Sequence, residues 1–302
     1  MAFTAQDVKT LREMTSCGMM DCKQALTETG GDMDKAVEFL REKGLSKAIK
    51  KAGRIASEGM VYAELFDNAG VVVEVNSETD FVAKNEDFQN FVKGVAAVIA
   101  KENPADVEAL KALPLDNQTV GEALTEKIAT IGENMNIRRF VRYDGTNVAY
   151  IHGGGRIGVL VNFSIDDTAK ANTSEFKEMA KNVAMQIAAV FPQYVKEDEV
   201  PAEVVEKEAE ILKAQALNEG KPEAIVEKMV AGRIKKFYQE ICLVDQEYVK
   251  DSDMTVGKYV KSVADALGTT ISVEKFTRFE KGEGMEKKED NFAAEVAEMM
   301  GK

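Results

Sequence analysis

Displaced by 88 residues, the sequence meets itself without a gap. Tyr62 falls on Tyr150, Gly70 on Gly158, Val71 on Val159, Val73 on Val161, Phe88 on Phe176, Val95 on Val183, Ala96 on Ala184 and Ile99 on Ile187. In each copy a short apolar run (Val71 to Val75, Val159 to Phe163) leads through a polar loop into a segment with one apolar stripe at helical spacing. A chain that repeats a strand, loop and helix unit in this way is expected to form two similar α+β subdomains, each a small antiparallel sheet covered by helices. Further strands are expected over Ile137 to Tyr143 and Thr269 to Phe279.

Around this core the pattern is helical. Residues 4 to 43 read as three short helices: Thr4 with Asp7 makes a capping box, Gly18 breaks the first run, and Asp32 caps the third, with Val37 and Leu40 inward. Residues 202 to 217 and 223 to 240 read as an αα-hairpin around Gly220 and Pro222, with the apolar residues Val205, Ile211 and Leu212 on one arm and Ile225, Met229 and Phe237 on the other. Lys281 to Lys288 reads as a charged tether, followed by an amphipathic helix carrying Phe292, Val296 and Met300. The boundaries read from the chain are 1–55 for a three-helix module, 56–143 and 144–280 for the two core subdomains, with the hairpin at about 200–240 in the second, and 281–302 for the tethered C-terminal helix.

Of the 302 residues 45% are hydrophobic and 30% charged, which places the chain among globular proteins. No apolar run approaches the roughly 20 residues of a membrane helix, and neither membrane association nor a targeting leader is expected. A cytoplasmic location follows as an expectation. Cys17, Cys22 and Cys242 form no CxxC pair, so neither a disulfide framework nor a zinc site is expected. A net charge of −13 repels nucleic acid. The local exception is the basic stretch Arg41, Lys43, Lys47, Lys50, Lys51 and Arg54, which is either a solvated linker or helix face, or a patch for an acidic partner.

Enzymatic readings find little support. His152 is the only histidine, which removes most catalytic triads and metal clusters. Gly153, Gly155 and Gly158 satisfy GxGxxG, but that fingerprint must open a helix, whereas a strand is expected next. The His152 to Gly155 run resembles an oxyanion loop, yet the chain has no GxSxG elbow, and it has no phosphate-binding loop sequence either. No cofactor is expected.

One loop breaks the repeat. Thr79, Asp80, Phe81 and Val82 align with Asp167, Thr168, Ala169 and Lys170, while the core positions on either side keep their type. Phe81 either folds back to share a core with Phe88 and Phe91, or contacts something outside the subdomain.

The string Thr79, Asp80, Phe81, Val82, Ala83, Lys84, Asn85 resembles the signature loop of the elongation factor Ts family. Met19 to Lys23, Ile131 to Asn134, Tyr150 to Val161 and Gly220 to Phe237 are similar as well. Ser16 and Cys17 depart from the Gly and Ala usual in the family. The resemblance implies a ubiquitin-associated-like helical N-terminal module, a two-subdomain core, a helical insertion and a C-terminal helix. It implies a non-enzymatic guanine-nucleotide exchange factor whose partner is the GTPase elongation factor Tu, with GDP and magnesium held by that partner. Thr79, Asp80, Phe81 and Val82 are then the residues that dislocate the magnesium, and Met19, Met20, Ile131, Gly132 and His152 are secondary contacts. The hairpin leaves open a homodimer or a two-to-two complex. A small-molecule enzyme and an adaptor that binds without promoting exchange are the competing classes.

Overall fold

A computed structural model describes residues 3–15, 17–67 and 69–287. Ser16 and the C-terminal helix with Phe292, Val296 and Met300 lie outside the described residues. Three helices open the chain: α1 (Ala5–Thr15), α2 (Met19–Glu28) and α3 (Met33–Lys51). The first sheet-bearing unit follows, with β1 (Glu58–Phe66), β2 (Ala69–Ser77), α4 (Asp80–Ala83), α5 (Glu86–Glu102), α6 (Val107–Lys111), the short ribbon β3 (Pro114–Leu115) and β4 (Gln118–Thr119), α7 (Val120–Ile131) and β5 (Met135–Asp144). The second contains β6 (Thr146–His152), β7 (Ile157–Ile165), α8 (Ser174–Val190), the hairpin α9 (Ala202–Asn218) and α10 (Glu223–Ile241), the ribbon β8 (Glu247–Tyr248) and β9 (Asp251–Thr255), α11 (Val256–Leu267) and β10 (Ile271–Glu280).

Both main sheets are three-stranded and antiparallel, in the orders β1-β2-β5 and β10-β7-β6. They are stacked face to face, with Val61 and Val72 of one meeting Leu160 and Phe279 of the other. The opposite faces are covered by helices: Phe88, Val92, Val95 and Ile99 of α5 pack on Val71, Val73 and Val75, and Phe176, Met179, Val183 and Ile187 of α8 pack on Val159, Val161 and Phe163. The result is an α+β sandwich of helix, sheet, sheet and helix. It accounts for the apolar run Ala69–Val73 of β2, a strand of which every residue is buried, because a strand covered on both faces has no solvent side to pattern.

The repeat extends further than the first offset reveals. A second constant offset relates Thr119 to Thr255, both N-caps, Val120 to Val256, the left-handed C-cap Gly132 to Gly268, and Met135 to Ile271. The larger offset arises because the second copy accommodates the α9–α10 hairpin. The two copies meet through reciprocal glycines. A β-carbon added at Gly70 would strike Leu160, and one at Gly158 would strike Val61 and Val72. Since Leu160 stands where Val72 stands in the first copy, one contact is made twice. Val61 N–H also donates to Gly155 O at 2.8 Å, joining β1 to the turn between β6 and β7.

Two readings need correction. The third helix runs on to Lys51 rather than ending near residue 43. Gly44 does not break it, being buried where α3 crosses α7, and a β-carbon there would lie 3.4 Å from that of Ala129. In the hairpin, Ile211 and Ile225 are exposed; the interior holds Ala216 and Val226, and near its base Val204, Val205, Phe237 and Tyr238 pack on Val200, Ile241 and Cys242. A two-helix layer has a single seam, and apolar residues off that seam have nothing to pack against.

Lys281 to Met285 form no tether. Gly282 N–H donates to Glu74 Oε1 at 2.8 Å, Lys281 pairs with Glu58, and Arg138 Nη2 donates to Glu283 O at 2.6 Å. Glu74 is fully buried and also receives Arg139 Nε at 2.6 Å, Arg138 Nη1 at 3.0 Å and Asn76 Nδ2 at 3.1 Å. This set of donors compensates the desolvation of its carboxylate.

Gly158→Ala is expected to destabilise the chain by about 1 to 3 kcal/mol, measured by urea denaturation, because the added methyl has no room between the sheets.

Candidate functional site

The Thr79 loop is built by what precedes and follows it. Strand β2 ends at Ser77, whose Oγ donates to Thr79 O at 2.9 Å. Thr79 is extended, and Asp80–Ala83 then make a single helical turn. Asn85 restarts the chain as N-cap of α5, its side chain accepting from the amides of Asp87 and Phe88. Gln89 Nε2 donates to Ala83 O at 2.9 Å, which closes the turn from below.

Successive residues of a helical turn point about 100° apart, so the turn cannot bury both Phe81 and Val82. Val82 enters the first core and is 5% exposed. Phe81 is 76% exposed, more than any other large hydrophobic residue described. It does not join Phe88 and Phe91, which are buried in that core. Of the two readings open from sequence, the outward one describes the structure. Leaving such a side chain in water forgoes about 1.5 to 3 kcal/mol of burial.

Asp80 is exposed beside it. Its carboxylate accepts from Lys84 Nζ at 3.0 Å, and this hydrogen bond is the main reason its carboxyl titrates below the usual range. The same ammonium lies 5.5 Å from the centre of the Phe81 ring. In the second copy the corresponding stretch forms a 3-10 helix, Thr168–Asn172, in which Ala169 presents only a methyl group.

Hydrogen bonds bring the Thr79 loop together with Gly132 to Asn134. Thr79 N–H donates to Glu133 Oε2 at 2.9 Å and Thr79 Oγ1 to Glu133 Oε1 at 2.6 Å, while Asn134 N–H donates to Glu78 Oε1 at 2.6 Å. Gly132 is the left-handed C-cap of α7 with φ 88°, and its carbonyl accepts from Lys51. Ile131 is half-buried against the first core. The sequence reading passed over Glu78 and Glu133 as contact residues. Nothing in local spacing marks them, since their partners lie more than fifty residues away in the chain.

The remaining expected contacts stand apart from this loop. Met19 and Met20 are exposed at the start of α2, and Met14 nearby is exposed as well. His152 ends β6, with its Nδ1 3.1 Å from Tyr150 Oη. Gly153, Gly154 and Gly155 all take positive φ to form the turn into β7, so the glycine run makes a hairpin and opens no helix. Among the described residues no hydrogen bond joins Met19, Met20 or His152 to Thr79–Val82.

The basic stretch lies on and just beyond α3, and much of its charge is engaged within the chain. Lys43 and Lys47 both pair with Asp21, Lys51 with the Gly132 carbonyl and Arg54 with Glu78. The thiol of Cys242 is pushed up to about 12, chiefly by burial, which leaves it unreactive as a nucleophile.

Fold and site together define a duplicated α+β scaffold that presents an aromatic turn on one of its two copies. The family profile described as Elongation factor TS matches residues 78–283. Proteins named Elongation factor Ts from Clostridium perfringens (strain SM101 / Type A), Symbiobacterium thermophilum and Syntrophotalea carbinolica are 54%, 53% and 52% identical to the chain. Each alignment covers 99% of this chain and at least 98% of the relative. The chain belongs to the elongation factor Ts family, and it is an elongation factor of protein biosynthesis.

Phe81→Ala is expected to change folding stability by no more than about 0.5 kcal/mol, whereas Val82→Ala costs about 1 to 3 kcal/mol. Urea denaturation of the two variants measures the difference between an outward and an inward neighbour.

Proposed function

We propose that the chain is a guanine-nucleotide exchange factor that binds elongation factor Tu carrying GDP, promotes release of the nucleotide and is displaced by GTP. The observation that supports this most directly is Phe81, exposed on a turn whose neighbours are all tied down, in a member of the elongation factor Ts family. Magnesium bridges phosphate oxygens to protein ligands and offsets their charge, so GDP leaves slowly while that site is intact. An exchange factor must distort it. Phe81 enters an apolar gap in the partner's nucleotide domain, and Asp80, ionised at neutral pH, disturbs the ligand network around the magnesium. Thr79 and Val82 hold the turn that carries them.

The chain breaks no covalent bond and carries no cofactor of its own; GDP and magnesium stay with the partner. Met19, Met20, Ile131, Gly132 and His152 are secondary contacts, the methionines supplying adaptable apolar surface. The negative net charge disfavours direct contact with nucleic acid, and the cytoplasm is the compartment in which such a factor works. The exposed Ile211 and Ile225 of the hairpin suit either a second copy of the chain or the partner. Linkage makes the effect reciprocal: whatever factor weakens GDP binding also weakens binding of the chain to the GDP form.

Stopped-flow measurement of GDP release tests this reading. The full chain is expected to accelerate release from GDP-loaded elongation factor Tu, and Phe81→Ala to reduce that acceleration by about 10- to 100-fold, the worth of one buried aromatic side chain. Wild-type speed in that variant would remove Phe81 from the mechanism. Asp80→Ala is expected to lose most at saturating magnesium and least at low magnesium; equal loss at both would exclude the magnesium role. An adaptor would bind without changing the rate.

A further inference from the structure

Two carboxylates exchange places between the Thr79 loop and the loop after α7. Glu78, on the first, accepts the amide of Asn134 on the second; Glu133, on the second, accepts both the amide and the hydroxyl of Thr79 on the first. Asn134 Nδ2 donates onward to Arg54 O at 2.8 Å, and Arg54 Nη1 lies 3.4 Å from Glu78 Oε1. The clasp therefore links the aromatic turn, the C-terminal cap of α7 and the segment that leaves α3. Thr79 occupies the N-cap position of the turn, and its side chain makes no capping bond; its hydroxyl donates to Glu133.

The second copy supplies an internal control. At the positions corresponding to Thr79 and Glu133 stand Asp167 and Thr269, and Asp167 N–H donates to Thr269 Oγ1 at 3.2 Å. A tie at this point thus belongs to the scaffold. What differs is its strength: two neutral bonds, the second from Asp166 N–H to Thr270 O at 3.3 Å, in the copy that presents a methyl group, and three bonds to carboxylates in the copy that presents Phe81. Bonds to a charged acceptor are roughly twice as strong as neutral ones.

From this contrast we infer that Glu133 is a positioning residue for exchange: it holds Thr79 so that Phe81 and Asp80 are presented in one orientation, and it couples them to the Ile131–Gly132 contact as a single body. The inference rests on the exchange reading above for its functional half; the geometric half stands on the free chain. A turn with an unburied aromatic gains little from its own packing. Without an external tie it would sample many orientations, and the entropy lost on docking would lower its effectiveness.

The test uses the full-length chain. In Glu133→Ala the amide of Thr79 is expected to exchange with solvent about tenfold faster or more, the scale of one charge-assisted hydrogen bond, while the amides of Val71 to Val75 keep wild-type protection. With GDP-loaded elongation factor Tu the same variant is expected to slow release about tenfold, Glu133→Gln to fall between that variant and the wild type, and the double variant with Phe81→Ala to be no slower than Phe81→Ala alone. A purely structural residue would give additive losses. Unchanged protection of Thr79 in Glu133→Ala, or additive losses in the double variant, overturns the inference. Should Glu133→Ala lose β2 protection, Glu133→Gln, which keeps one carbonyl oxygen for the Thr79 amide, takes its place in both measurements, with an intermediate effect expected and a wild-type amide rate overturning the inference. If the wild-type chain does not accelerate GDP release at all, the exchange reading fails, and the amide rates alone decide whether Glu133 holds the turn.

Discussion

The structure depends on the close approach of two sheets, made possible by Gly70 and Gly158. Each glycine leaves room for a branched side chain of the opposite sheet, Leu160 in one direction and Val61 with Val72 in the other. Because the two contacts are equivalent under the repeat, the interface is an approximate two-fold joint between two copies of one design. The stacked sheets bury the inner faces of both units, and each outer face is left to its own helices. Neither three-stranded sheet could bury both faces alone, so duplication supplies for each unit the partner it lacks.

That joint explains why an exposed aromatic can stand on one copy only. With packing satisfied symmetrically, the loops after β2 and β7 are equivalent places on the scaffold and neither needs a large side chain for folding. The second copy uses Ala169 there, and the first uses Phe81. Polar interactions add a second link between the two units. Glu74, buried where β2 meets β5, collects two guanidinium groups and the amide of Gly282, and so fastens the segment after β10 onto the first unit. Lys281 and Glu58 add an ion pair beside it. The end of the second unit is thereby held close to the first, near the aromatic turn.

Much of this is legible in the chain itself. The 88-residue offset identified the paired strand, loop and helix units, and the stripes Phe88–Ile99 and Phe176–Ile187 are the faces that α5 and α8 bury. The strands β5 and β10 and both arms of the hairpin fall where periodicity and turn residues placed them. The misplacements share a cause. The third helix ends where its partner α7 stops supporting it, and Gly282 signals flexibility only if no carboxylate receives its amide; each depends on a neighbour remote in the chain. Ile211 and Ile225 fit a helical stripe, but a stripe records periodicity and not the width of the seam it meets.

What the sequence determined by itself is the duplicated strand, loop and helix unit, the helical hairpin and the presence of an aromatic where the second copy has alanine. These are local properties, written in spacing, caps and turn residues over a few turns of chain. Only the tertiary structure decided that Phe81 points outward while Val82 points in, that α3 continues across α7, and that Glu78 and Glu133 cross between two loops. Each of those outcomes depends on groups far apart in the chain arriving within hydrogen-bond or van der Waals distance, which no pattern within a single segment encodes.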